Sequence, residues 1–271
     1  MPKSFSYKLR FLYFCFFVLV FLIGFPILVF YSAGYTWDSF GLSARGGIYV
    51  FTPEPDTSVF IGNELQNVSG FFNKEILLND LKPAQYLVMA TNEEYWPWSK
   101  FVDVKRGEVQ ALTPLLVPKV IETEAITISD PVRRPIVALF ATSTNTSSIQ
   151  STSTPGALVR RDVKIWFNDT KLFAQWLGNE EGAPEYFCLT GDCTEPVEVF
   201  EGFVPIRSID FYPGRADAII LALDTGIYAV EIDRRPNQNF YPLYHGETPD
   251  FRVYRGQVYI KDSNYIALLN L

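Results

Sequence analysis

Two hydrophobic patterns divide this chain. From Phe11 to Phe30 the sequence reads FLYFCFFVLVFLIGFPILVF, an unbroken apolar run without a charge. A helix needs about 20 such residues to cross about 30 Å of hydrocarbon, so the run predicts a membrane-spanning helix over residues 11–31. Beyond it the pattern becomes one of short apolar segments separated by Gly, Pro, Asn and Asp. Segments of that length and spacing predict strands joined by turns, and hence an all-β region.

The flanks of the apolar run set an expected orientation. Lys3, Lys8 and Arg10 precede it, and the next charge is Asp38. Residues 1–10 are therefore expected to form a cytoplasmic tail, with everything after Tyr31 outside the cell membrane. Tyr31, Tyr35 and Trp37 suit the outer interfacial belt. A cleaved signal peptide is the competing reading. Its apolar region is usually about 7–15 residues and ends at an Ala-x-Ala-like site, whereas this run is longer and Ser32-Ala33-Gly34 is a poor match. Cys15 lies mid-span, away from any lipid-attachment position. Gly24 and Pro26 are compatible with spanning.

Residues 46–119 show strand signals throughout: GGIYVFT from Gly46, SVFI from Ser58 into a Gly62-Asn63 turn, QYLVMAT from Gln85, KFVDVKRG from Lys100 and VQALTPLLVP from Val109. With no convincing helix among them, these segments predict a small β-sandwich. Phe101, Asp103 and Lys105 alternate with Val102 and Val104, so one face of that strand is expected to be wet.

This stretch resembles a PEGA domain, a small β-sandwich module of bacterial and archaeal surface proteins. The resemblance rests on Ile48-Tyr49-Val50, the Pro53-Glu54-Pro55-Asp56 corner, Val59-Phe60-Ile61-Gly62-Asn63, Leu81-Lys82-Pro83-Ala84-Gln85-Tyr86 and Glu94-Tyr95. Three places depart from the family pattern. Pro55-Asp56 replaces Gly-Ala, Ala84 replaces Gly, and Glu94 stands where Gly is usual, which puts the turn geometry there in question.

Between residues 120 and 157 aromatic residues nearly vanish and the chain contains ATSTNTSSIQSTSTPG, so a Ser/Thr-rich linker or long loop is expected. Asn145 and Asn168 head glycosylation sequons, meaningful only in an organism that glycosylates. Residues 158–271 then offer segments at regular intervals: VKIWFN, KLFAQWLG, EYFCL, PVEVF, RSIDFY, AIILAL, GIYAVEI, FYPLY, FRVY, QVYIK and YIALLNL. The block IDFYPGRADAIILALDTGIYAVEID resembles one blade of a β-propeller. Blades have four strands and a ring needs about 4 blades, so the expectation is a partial propeller-like stack of antiparallel sheets, a folded-over sandwich, or half of a dimeric ring.

Charge narrows the partners. The net charge is −7, and removing the three cations before the apolar run leaves −10 for the rest. Nucleic acid is therefore not an expected partner. With 48% hydrophobic and 16% aromatic residues, the chain has material for packed cores.

Catalytic chemistry is not indicated. His245 is the only histidine, too few for a triad or a multi-histidine metal site, and it is expected in a turn. Asp210, Asp217, Asp224 and Glu231 recur every seven residues, a spacing better explained by turn and surface roles than by an acid–base pair. No cofactor and no metal are expected. Cys188 and Cys193 are the only cysteines outside the apolar run. Leu189-Thr190-Gly191-Asp192 would make a four-residue hairpin loop setting them opposite each other, so a disulfide is expected.

Tyr95, Trp96 and Trp98 form the candidate ligand-binding cluster, because flat rings on a sandwich rim stack on sugars. Against this, Trp96 and Trp98 are two apart and could equally point together into the core. The expected function is that of a non-enzymatic, membrane-tethered structural or binding protein of the cell envelope, displaying β modules to a protein or glycan. A sensor or accessory subunit of a membrane complex is the alternative, and an envelope hydrolase is a more distant one.

Overall fold

The computed structural model describes residues 7–32, 35–38, 41–141, 156–189 and 191–271. Helix α1 spans Tyr7–Ser32. Strands follow as β1 (Tyr35–Asp38), β2 (Gly41–Ala44), β3 (Gly46–Phe51), β4 (Ser58–Ile61), β5 (Glu64–Val68), β6 (Glu75–Leu81), β7 (Ala84–Thr91), β8 (Trp98–Val104), β9 (Val109–Leu112) and β10 (Thr123–Ala125). Helix α2 covers Arg133–Ala141. Then come β11 (Leu158–Arg160), β12 (Val163–Asn168), β13 (Lys171–Trp176), β14 (Val197–Glu201), β15 (Ser208–Phe211), β16 (Ala218–Leu223), β17 (Gly226–Glu231), β18 (Phe240–His245), β19 (Asp250–Tyr254), β20 (Gln257–Asp262) and β21 (Tyr265–Leu269). The protein is mostly antiparallel β-sheet with one N-terminal apolar helix.

The helix is long enough to cross a bilayer, as its apolar stretch predicts. Leu9–Ser32 is 24 residues, or about 36 Å at 1.5 Å per residue, and none of it is buried inside the protein. It runs through Pro26 without a break. This is compatible with single-pass anchoring. Two compact units make up the chain. One comprises residues 1–55, 69–86 and 102–113, the other 56–68, 87–101 and 114–271.

In the first unit β1 and β2 form a hairpin that sets Ala44 opposite Tyr35. Strand β3 follows after one residue and lies between β6, antiparallel, and β9, parallel. Ile48, Val50, Ile76 and Leu112 are buried. Gly46 admits no side chain, because a Cβ there would overlap the Lys105 carbonyl oxygen. The turn after β8 is pinned to the same point, Gly107 N donating to Arg45 O and Gly47 N to Glu108 O, both at 2.9 Å.

The second unit contains β4 and β5, with residues 87–91 of β7 and 98–101 of β8, and three four-stranded antiparallel sheets: β11-β12-β13-β14, β15-β16-β17-β18 and β10-β21-β20-β19. None of them closes into a barrel or ring among the described residues. The first two share a core in which Ile165, Leu172 and Val199 meet Ile209, Ile219, Leu221 and Val230. The second and third are linked at Ser208 Oγ, which donates to Asp250 Oδ1 at 2.6 Å, and by Arg207 Nη1 to Pro249 O.

Three expectations need correction. EYFCL is not a strand: Glu185–Phe187 is a 3-10 turn, with Phe187 N donating to Pro184 O and Cys188 N to Glu185 O. Pro184 cannot donate to a ladder, and Phe187 is fully buried in the core between the first two sheets, so local hydrogen bonds and one aromatic anchor override the β-prone composition. The fourth strand of that sheet is β11. Cys188 and Cys193 are therefore not hairpin partners. They are joined by a disulfide with Cα atoms 4.1 Å apart, across a loop entered from the 3-10 turn. Thr190, within that loop, lies outside the described residues.

The expected linker is also partly built. β10 pairs with β21, and α2 lays Ile136, fully buried, against Tyr259 and Ile266. Pro135 sits in the first turn of α2, where its missing N–H costs nothing, and Arg133 Nη1 donates to Ile126 O at 2.6 Å. The Ser/Thr run and the Asn145 sequon, residues 142–155, lie outside the described residues, as do Met1–Ser6. Asn168 is exposed where β12 turns into β13.

Of the departures from the PEGA pattern, only the naming corner adopts a left-handed backbone. Asp56 has φ 57°, a conformation that Asp tolerates better than most residues, whereas Ala84 and Glu94 keep negative φ. Replacing Cys188 with Ser should destabilise the oxidised protein by on the order of 2 kcal/mol for so short a loop, seen as a lower melting temperature, and leave the reduced protein unchanged. Equal melting of wild type and variant under oxidising conditions would show that the bridge does not stabilise the fold.

Candidate functional site

Residues 98–101, the first part of β8, carry the most unusual side chains of the second unit. The strand's alternation buries Trp98, Lys100, Val102 and Val104, so a lysine sits on an apolar face, only 1% exposed. A charge there requires partners. Lys100 Nζ lies 3.0 Å from Glu231 Oε2 and donates to the carbonyl oxygens of Asp233, at 2.9 Å, and Arg235, at 3.4 Å. Glu231, at the end of β17 and 4% exposed, also accepts the indole N–H of Trp98 on Oε1 and the Asn239 side-chain amide on Oε2 at 2.7 Å.

Asn239 is held on both sides. Its Nδ2 donates to Ser99 O at 3.1 Å and its Oδ1 accepts Ser99 N at 3.3 Å, which fixes which atom is oxygen. The Tyr241 hydroxyl is 2.8 Å from both Asn239 Oδ1 and Pro97 O. Burial, and then the charge of Glu231, push the Tyr241 phenol upward, so it stays a donor at physiological pH. Phe101 N donates to Pro236 O, and Asp233 holds Arg235 through a two-point ion pair at 2.7–3.1 Å that extends to Glu185 at 3.0 Å. Among the described residues no buried side-chain nitrogen or oxygen lacks a partner.

The three aromatic candidates are not equivalent. Trp98 is 2% exposed and bonded to Glu231, so it offers no ring face to solvent. Trp96 is 36% exposed and stacks on Tyr241, with centroids 6.5 Å apart and planes at 14°. Tyr95 bridges to Pro118 and lines a shallow depression with Glu93, Glu94, Lys119, Val120 and Glu122. Trp96 and Trp98 do not act as one platform, because the chain is still a loop at Trp96 and strand alternation begins only at Trp98.

The carboxylates of the seven-residue series do not converge on one another. Asp210 accepts Phe211 N, Asp217 is paired with Arg215 at 2.7 Å, Asp224 is exposed at the β16–β17 turn, and Glu231 belongs to the buried network. His245 ends β18, exposed, edge-on to Tyr228. The residues that sequence reasoning missed are Lys100, Asn239 and Tyr241. The one signal for them was a lysine in phase with Trp98, Val102 and Val104. Compared with known proteins, the chain matches no protein-family model and no curated protein sequence.

Proposed function

We propose that the chain is a membrane-tethered extracytoplasmic binding protein of the cell envelope, whose PEGA-like and propeller-like β modules engage a protein or glycan. The observation that carries this reading is the link from helix to sheet. α1 is uncharged from Phe11 to its end and exposed, and the β1–β2 hairpin sets Ala44 opposite Tyr35, so β3 starts close to where the helix ends. That geometry supports a β module held at the membrane face. Exposed rings support a binding role: Phe71 and Phe72, 75% and 96% exposed, sit on a turn closed by Gly70 N to Asn73 O, and Phe203 and Trp96 add others. The cations before the apolar run support the N-terminus-in orientation.

The test is protease treatment of cells whose outer barrier, if any, has been opened. The β modules should be degraded while a fragment containing α1 stays protected. A full-length chain protected inside the cell would sink the proposal. Replacing Trp96 with Ala should move the melting temperature little, since that ring is partly exposed, and should reduce retention of the chain by envelope components if its ring makes the contact. A drop as large as a core deletion would instead assign Trp96 to packing.

A further inference from the structure

We propose that Lys100, Glu231 and Asn239 form a self-processing site that joins Lys100 Nζ to Asn239 Cγ through an intramolecular amide bond. The inference stands on the buried geometry of the second unit and does not depend on the membrane reading.

Three observations converge. The amine and the carboxamide that would react both lie within 3.0 Å of a single oxygen, Glu231 Oε2. All three residues are at most 5% exposed, so water is kept from competing, and the hydrogen bonds between the Asn239 side chain and the Ser99 backbone hold the carboxamide beside β8. Two donors, Ser99 N–H at 3.3 Å and the Tyr241 hydroxyl at 2.8 Å, already point at Asn239 Oδ1, where negative charge would develop. The indole of Trp98 holds the other carboxylate oxygen, so Glu231 cannot swing away from the pair.

The chemistry balances without a further reagent. Glu231 accepts a proton from Lys100 Nζ, and the neutral amine attacks Asn239 Cγ. The carbonyl π electrons move to Oδ1, stabilised there by the Ser99 and Tyr241 donors. The carbonyl then re-forms as the Cγ–Nδ2 bond breaks: Glu231 passes its proton to Nδ2, ammonia leaves, and Glu231 takes up the second proton of Nζ, so that the amide is neutral and Glu231 ends as the neutral acid. One amine and one carboxamide become one secondary amide and one ammonia, with no oxidation or reduction. The product ties β8 to the strand that begins at Phe240.

Mass spectrometry of the full chain, purified in detergent and reduced, decides the matter. The expected mass is that of the sequence less one ammonia, and digestion should give a branched peptide in which Lys100 is attached to Asn239 and trypsin no longer cuts after Lys100. Lys100→Arg keeps the positive charge beside Glu231 but supplies no comparable nucleophile, so it should fold and retain its full sequence mass. Glu231→Gln should likewise remain unlinked. A wild-type chain that keeps its full mass after prolonged incubation in the folded state overturns the proposal. So does loss of ammonia without the branched peptide, which would mark a cyclised asparagine instead.

Discussion

Replacing Trp98 with alanine is expected to destabilise the second unit by about 3–5 kcal/mol, the usual cost of removing a fully buried large aromatic side chain. The ring is 2% exposed and its N–H satisfies one oxygen of a carboxylate that is itself buried. The truncation therefore opens a cavity and leaves Glu231 Oε1 without its donor, and the two penalties act together. Denaturant melts of variant and wild type measure the difference. A loss below about 1 kcal/mol would mean that the site collapses around the missing ring and that the β8 contact contributes little. Trp96→Ala is the internal comparison, expected to be several-fold milder because a third of that residue is already in water.

Lys100→Met should cost a similar amount, about 3–5 kcal/mol, for a different reason. In the unlinked chain it removes the cation from a pair in which both side chains are at most 5% exposed, leaving a buried carboxylate and two backbone carbonyls without their donor. Changing Glu231 to Leu in the same chain should restore part of the loss, since a matched apolar pair no longer buries an uncompensated charge. If the double variant is as unstable as the sum of the singles, the two residues are not coupled and the network has been misassigned.

How much of this was legible in the sequence follows from the range of the interactions. α1 was readable because twenty apolar residues in a row are a local property, and most of the strands from β12 to β21 because short apolar segments bounded by turn residues are local too. β5, ELQNV, was missed because its apolar residues Leu65 and Val68 are three apart and all five positions are exposed, so no alternation marks a strand. β10 and α2 were hidden beside the Ser/Thr run, and their order comes from β21 and the sheet beneath, far along the chain. EYFCL misled because Tyr, Phe and Cys favour strands, while the preceding Pro184 and the pocket that receives Phe187 favour a tight turn. The site was the least legible part. Asp and Glu spacing pointed to a series along one sheet, yet the partner of Glu231 is a lysine from a strand near residue 100, and no spacing rule connects them.

The sheet that ends in β21 is completed by β10, with Thr123 opposite Leu269. During synthesis or export through a membrane, the two strands emerge far apart in time, and nearly all of the intervening chain must appear before they can meet. Closing so large a loop is entropically slow, so this sheet is the natural last step of assembly. Until then β10 waits as an unpaired edge and the Tyr259–Ile266 surface waits for α2, so a chain stalled before residue 265 displays both a sticky strand and an uncovered apolar face. Such a chain is marked as unfinished to any chaperone or protease that reads exposed edges.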